Sequence, residues 1–227
     1  MRLLVLALCM AAAAPAAADT VMVEAGRDAT MIEDAAGSRA NGSGPGFFAG
    51  RTSQPADSIR RGLIFFDVAG ALPTGAIVEE ASLELHALPG NPAPRVVGLY
   101  RVLASWEEGA SYATGGGGAP AETGDVTWIH TSYDTEFWVR PGGHFVPRVS
   151  AEAVVSDTGS YTWDGAGASQ DVALWARAPL ANQGWILIGD ETMGQTAKVF
   201  ASREVEDASL RPRLRISYRM PGELPEP

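Results

Sequence analysis

Apolar and polar residues alternate in short runs along most of this chain. In Ser82-Leu83-Glu84-Leu85-His86-Ala87-Leu88 the side chains of Leu83, Leu85 and Ala87 fall on one face. In Arg213-Leu214-Arg215-Ile216-Ser217-Tyr218-Arg219 those of Leu214, Ile216 and Tyr218 do the same. A period of two marks strands with one buried and one wet face. Leu63-Ile64-Phe65-Phe66 and Trp185-Ile186-Leu187-Ile188 are apolar throughout, which suits central strands. Similar runs predict strands over 20–24, 47–51, 96–103, 126–130, 161–164 and 198–202, bounded by Gly, Pro, Asn and Asp. Helical periodicity is confined to 171–178, where Asp171 is placed as N-cap, Val172 and Trp175 share a face, and Pro179 ends the helix. Many short strands with one or two short helices predict an all-β fold, an antiparallel β-sandwich. Its expected interior holds Phe65, Leu83, Leu85, Leu99, Ile186, Leu214 and Ile216.

Strand patterning continues through residues 19–220, so a single sandwich domain is expected there. The turn at 41–46 and the stretch 111–124, with Gly115 to Gly118 in succession, read as loops, the second of them mobile. Residues 221–227 read as a disordered acidic tail without an anchor. Residues 1–18 are of another kind. Arg2, the apolar run 3–14 and Ala16-Ala17-Ala18 have the form of a signal peptide cut before Asp19. The run is too short to span a bilayer, so a secreted protein, extracellular or periplasmic, is expected. A lipoprotein would use Cys9, but Leu8 is large where a small residue belongs. Cleavage removes Cys9, the sole cysteine, and with it any disulfide or thiol nucleophile. The net charge of −10 opposes a nucleic-acid partner, because phosphates call for a basic face.

The order of several motifs resembles a known family. Arg61-Gly62-Leu63-Ile64-Phe65-Phe66-Asp67, the strand 78–88, and Leu99-Tyr100-Arg101-Val102 before Trp106-Glu107-Glu108-Gly109 follow the pattern of the DNRLRE-domain proteins. Thr127-Trp128, Gly142-Gly143-His144-Phe145, Asp171-Val172 with Trp175, Asn182-Gln183-Gly184-Trp185, Ser202-Arg203-Glu204 and Arg211-Pro212-Arg213-Leu214 continue it. The resemblance covers about residues 25–218 and implies a jelly-roll-like sandwich on a secreted or surface protein of bacteria or archaea. Relatives of this kind accompany polysaccharide-degrading enzymes. Some act as carbohydrate-binding modules and others look structural or adhesive. The namesake signature is present only as Ser202-Arg203-Glu204, so no ligand carries over.

Local catalytic motifs are missing. The three histidines, His86, His130 and His144, form no metal spacing, and no serine sits in a Gly-x-Ser-x-Gly elbow. His86 belongs to the wet face of its strand. Glu107, Glu108, Asp125, Asp164 and Glu204 are carboxylates from which a glycosidase or lyase pair could be drawn, although Glu107 and Glu108 would face opposite ways on a strand. Arg203-Glu204 reads as a structural ion pair or hydrogen-bond anchor at the end of the strand 198–202. Of the six tryptophans, Trp175 and Trp185 belong to the core. Trp138 and Trp163 stand among polar or glycine neighbours and are the expected sugar-stacking platforms, with His144 beside Gly142-Gly143 as the next ligand candidate. No cofactor is expected. A structural Ca²⁺ is the metal to weigh, with oxygens drawn from Asp28, Glu33, Asp34, Asn41, Asp67, Asp157, Asp164, Asp171 and Asp190.

Three functions follow. The first is a non-catalytic exported module that binds polysaccharide or another cell-envelope component. The second is a structural or adhesive extracellular protein, and the third an enzyme of polysaccharide breakdown with cryptic carboxylates. The sequence leaves the oligomeric state open. Mass spectrometry of the protein from its native host should find an N-terminus at Asp19; an intact Met1 or a lipidated Cys9 would overturn soluble export.

Overall fold

The computed structural model describes residues 18–221. The segment expected to be a signal peptide, apart from Ala18, and the expected tail beyond Pro221 lie outside the described residues. In chain order the first half contains β1 (Asp19–Glu24), β2 (Arg27–Ile32), β3 (Arg39–Asn41), β4 (Gly46–Arg51), β5 (Ile59–Phe65), α1 (Val68–Ala71), β6 (Ile77–Ala87) and β7 (Arg95–Arg101). Next come β8 (Ala119–Pro120), β9 (His130–Ser132) and β10 (Glu136–Phe137), all short. The second half adds β11 (Ala151–Val155), β12 (Gly159–Asp164), α2 (Ala166–Arg177), β13 (Trp185–Ile188), β14 (Lys198–Ala201) and β15 (Arg213–Arg219).

The strands build an antiparallel β-sandwich, as the alternation predicts. In one sheet β6 is flanked by β15 and β12, with β1 beyond β15 and β14 beyond the end of β6. In the other, β2, β5, β13, β7 and β11 lie side by side. Strand β4 joins the sheets, pairing β14 from Gly46 to Ala49 and β5 at Gly50 and Arg51. Leu83, Leu85, Phe200, Leu214 and Ile216 of the first sheet meet Ile64, Leu99, Trp185 and Leu187 of the second. Helix α2 closes this core with Ala168, Val172 and Trp175, spaced three and four apart so that they share one face.

The second sheet has another core on its outer side. Leu63 and Ile186, which alternate with the inward Ile64, Trp185 and Leu187, pack there with Ala29 and Met31 of β2. Trp106, Val126 and Trp138 cover them from the long segment between β7 and β11. This is why the runs at 63–66 and 185–188 are apolar without a break: both faces of β5 and β13 are buried. It also relocates two expected core residues. Ile186 lies in the outer core, and Phe65 is only partly buried beside it.

Other departures have local causes. Helix α2 starts five residues earlier than predicted, at Ala166 after Gly165, because Ala-Gly-Ala-Ser carries little hydrophobic signal. Asp171 is therefore no N-cap but a buried anchor inside the helix. It accepts from Trp185 Nε1 at 2.9 Å and Ser150 Oγ at 2.5 Å, and pairs with Arg101 at 3.0 Å. The stretch 111–124, expected to be mobile, is tied to the sheet. Asn41 Oδ1 accepts the Ala113 N–H at 3.0 Å, Arg60 donates to the Gly116 carbonyl, and β8 pairs with β3. Strand character expected at 126–130 appears only from His130, because Val126 is turned into the outer core. Strands β2 and β11, without a clear alternation, and the short β3, β8 and β10 escaped the sequence reading.

Two buried cations act as staples. The Arg60 side chain also donates to the Asp57 and Ile59 carbonyls, and burial lowers its pKa to about 10. Lys198 Nζ donates to the carbonyls of Asn91, Ala93 and Ser156 at 2.5, 2.8 and 2.8 Å. Burial first, and then Arg95, lower its pKa.

Denaturant unfolding should show that Leu85→Ala costs about 2–5 kcal/mol, the usual toll of a core cavity. Lys198→Met should cost about 1–3 kcal/mol or more, since three carbonyls lose their donor, and an unchanged midpoint would deny Lys198 its role as a staple.

Candidate functional site

Three carboxylates from distant parts of the chain converge at one end of the sandwich. Asp28 comes from β2, Glu108 from the segment after Trp106, and Glu204 from the turn after β14. Each offers an oxygen within 4.8 Å of the other two. The framework around them is dense. Glu108 Oε1 accepts the Asp28 N–H at 2.7 Å, and Asp28 Oδ2 accepts the Arg203 N–H at 2.8 Å. Arg203 reaches back with its guanidinium to Glu108 at 2.9 Å and Glu204 at 3.1 Å. The expected Arg203–Glu204 ion pair is thus present, and it is part of a larger cluster.

Glycines allow this approach. A Cβ on Gly42 would lie 1.9 Å from the Glu108 carbonyl oxygen, and one on Gly109, at φ +74°, 1.8 Å from Asp125 Oδ1. Next to Glu108, Glu107 has a different partner, accepting from Ser132 Oγ at 2.8 Å, although this segment is not the strand that the sequence reading assumed. Trp106 anchors the segment by donating from Nε1 to the Gln183 carbonyl at 2.9 Å. The Arg27 guanidinium lies over the rings of Phe65 and Trp106, at 4.5 and 4.8 Å from their centroids.

The electrostatics follow from burial. Asp28 is 1% exposed, and its pKa is raised well above the ordinary carboxylate value. Desolvation is the main cause, and the charges of Glu204 and Glu108 add to it against the Arg203 N–H bond. Burial also raises Glu108 and Glu204, opposed in both by Arg203. One Glu204 oxygen, Oε2, is buried without a hydrogen-bond partner among the described residues. The three carboxylates share the Arg203 guanidinium, with smaller contributions from Arg27 on Glu108 and Arg211 on Glu204, and a proton or a divalent cation bound by one oxygen from each can neutralise charge that remains. Of the nine oxygens weighed for Ca²⁺, only Asp28 belongs here. Others shape their own loops: Asp34 accepts from Ser38 and Ala36, Asp67 caps α1, and Asp190 accepts from Thr192.

The expected sugar platforms are corrected. Trp163 is fully buried and donates from Nε1 to the Val97 carbonyl at 2.7 Å; Trp138 is 5% exposed and donates to the Thr127 carbonyl at 3.0 Å. Polar neighbours misled because consecutive strand residues face opposite ways, so Thr162 and Asp164 point outward while Trp163 points in. Beside Trp138 the exposed apolar residues are Phe137 and Val139. His144 is half-buried after Gly142 and Gly143, and its carbonyl accepts the Leu103 N–H at 2.9 Å. Near it, Arg61 lies over the rings of Trp128 and Phe145 and is paired with Glu191 at 2.7 Å. His86, expected on the wet face, is half-buried there and lies 3.3 Å from Ser160 Oγ.

A second feature was not legible in the sequence. Where β12 ends at Asp164, helix α2 takes its place beside β6, and Ser169 Oγ accepts the Ala81 N–H at 3.0 Å. The change of neighbour leaves a cleft of about 720 Å³ between α2, β6 and β15. Arg215, Ser82 and Asp164 form one row across its floor, and Ser217 faces Glu80 in the next.

No family model matches the sequence, and a search of curated proteins finds no match.

The raised carboxyls make a signed prediction. The folded state holds their protons more tightly than the unfolded state, so their contribution to stability falls as pH rises from about 4 toward neutrality. Asp34, Asp190 and Asp207 are shifted down, and their slope has the opposite sign, so the comparison must be with a variant. Melting curves without divalent cations should show wild type losing stability relative to Asp28→Asn over that range. Calcium at about 100 times its Kd should restore about 2.7 kcal/mol in wild type and much less in the variant. Parallel pH profiles would exclude strain at the triad, and an absent calcium effect would exclude the cation.

Proposed function

We propose that the chain is an exported, non-catalytic β-sandwich module that binds polysaccharide or another hydroxyl-rich component of the cell envelope. The observation that carries this reading is the contrast between the two outer faces. The face formed by β2, β5 and β13 is sealed by an apolar core, whereas the face formed by β15, β6 and β12 is polar and lies open beside the cleft. Ser160, Thr162 and Asp164, then Ser82, Glu84 and His86, then Arg213, Arg215 and Ser217 give that face regular rows of hydroxyl and charged groups. A cleft of this size suits a small ligand or a few sugar units. The resemblance of the ordered motifs to those of the DNRLRE-domain proteins adds support. In this reading the Asp28–Glu108–Glu204 triad is structural, joining three distant segments with or without a cation.

A structural or adhesive role is the second reading, and one observation favours it. Val154 of β11, the last strand of its sheet, lies opposite Val96 of β7, and both are about half exposed. Such an edge can take up a partner strand.

A glycan array and polysaccharide pull-down with the full chain test the choice. Retention on at least one glycan is expected, with loss in Ser82→Trp, which fills the middle of the polar row, at an unchanged melting temperature. If wild type is retained by no glycan, the binding reading fails and the adhesive one stands.

A further inference from the structure

Resting on the binding reading above, we propose that the cleft between α2, β6 and β15 is the ligand site, and that it selects glycans free of acidic groups. Its polar lining divides into groups already engaged and groups left free. Glu79 is paired with Arg219 at 3.1 Å, and Ser169 is held between the Ala81 N–H and the Gly165 carbonyl. Among the described residues, the side chains of Glu80, Ser82, Asp164, Arg215 and Ser217 have no hydrogen-bond or ion-pair partner. They are fixed in register by three hydrogen-bonded strands, with Ser82 placed between Arg215 and Asp164. Neighbouring strands are about 4.8 Å apart, so the row spaces its polar side chains regularly across the cleft.

The chemistry of the free groups sets the ligand class. Carboxylates only accept, so Glu80 and Asp164 suit pairs of sugar hydroxyls or an amine, and Arg215 donates to ring or hydroxyl oxygens. No aromatic ring lines the cleft, so hydrogen bonds rather than stacking must orient the ligand. Two free carboxylates against one guanidinium leave the site negative, and a uronate, sulfate or phosphate would meet like charge. The N-terminus of α2 also opens here and would otherwise attract an anion, but Asp164 directly precedes its Gly165 cap and answers that partial charge within the chain.

Isothermal titration of the full chain would use two probe sets of equal length. One is the cello-, malto-, xylo- and chito-hexaoses, and the other is hexamers of galacturonate and mannuronate. At least one neutral hexamer should bind, with both acidic hexamers weaker by about tenfold or more, equivalent to about 1.4 kcal/mol. Arg215→Ala and Asp164→Asn should each weaken the neutral ligand by about tenfold at an unchanged melting temperature. The double variant Glu80→Gln, Asp164→Asn should gain affinity for a uronate, which a merely acidic protein surface would not predict. Uronate binding as tight as neutral binding would overturn the selectivity. Neutral binding untouched by all these variants would overturn the location while leaving the module reading intact. Failure of every probe, together with an empty glycan array, would remove both.

Discussion

The Leu63–Phe65 end of β5 and all of β13 are apolar on both faces, and the rest of the molecule is arranged to satisfy that constraint. A two-layer sandwich buries one face of each sheet, which would leave Leu63, Ile186 and Met31 in water. The segment between β7 and β11 covers them with Trp106, Val126 and Trp138. At roughly 25 cal/mol per Å² of apolar surface, burying these residues offsets part of the cost of ordering a segment short of regular structure. The same segment must then solve its polar problem. It does so through side-chain anchors such as Asp125, whose carboxylate accepts the N–H groups of Ser111 and Glu122 at 3.1 and 2.6 Å.

The acidic triad is a consequence of that cover. Trp106 cannot reach the outer core without bringing Glu108 to the edge of β2, where Asp28 and the Arg203-Glu204 turn already meet. Three carboxylates close together in a partly dry site repel one another and resist ionisation. Arg203, with smaller contributions from Arg27 on Glu108 and Arg211 on Glu204, relieves only part of the repulsion. The site therefore couples the closing segment, the first strand of the second sheet and the turn after β14 to the protonation of one cluster. Its burial and dense internal bonding distinguish it from the open polar face proposed above as the ligand site.

That polar face depends on the opposite solution. The sheet of β15, β6 and β12 has only one apolar side, turned to the central core, so its outer residues are free to be polar. Helix α2, docked through Val172 and Trp175, replaces β12 along the first half of β6, and the step from strand to helix makes the cleft. One face closed by hydrophobic cover and one left polar give the sandwich a direction, and the functional reading follows from it.

Alternation at 82–88 and 213–219 was enough to define strands, and the unbroken runs at 63–66 and 185–188 marked strands buried on both sides. Those signals survive because a period of two depends on the backbone alone. The start of α2, the anchoring of 111–124 and the burial of Trp138 and Trp163 were decided by tertiary contacts. Ala-Gly-Ala-Ser carries no apolar stripe, and a tryptophan among polar neighbours faces whichever way the second layer of its sheet dictates. Asp28, Glu108 and Glu204 were each visible as carboxylates, but 80 residues separate the first two at their closest hydrogen bond and nothing local links them. The sequence by itself determined which strands form and which face each one buries, because those choices rest on local geometry and hydrophobicity. Which carboxylates meet, and where the cleft opens, only the packing of distant segments could decide.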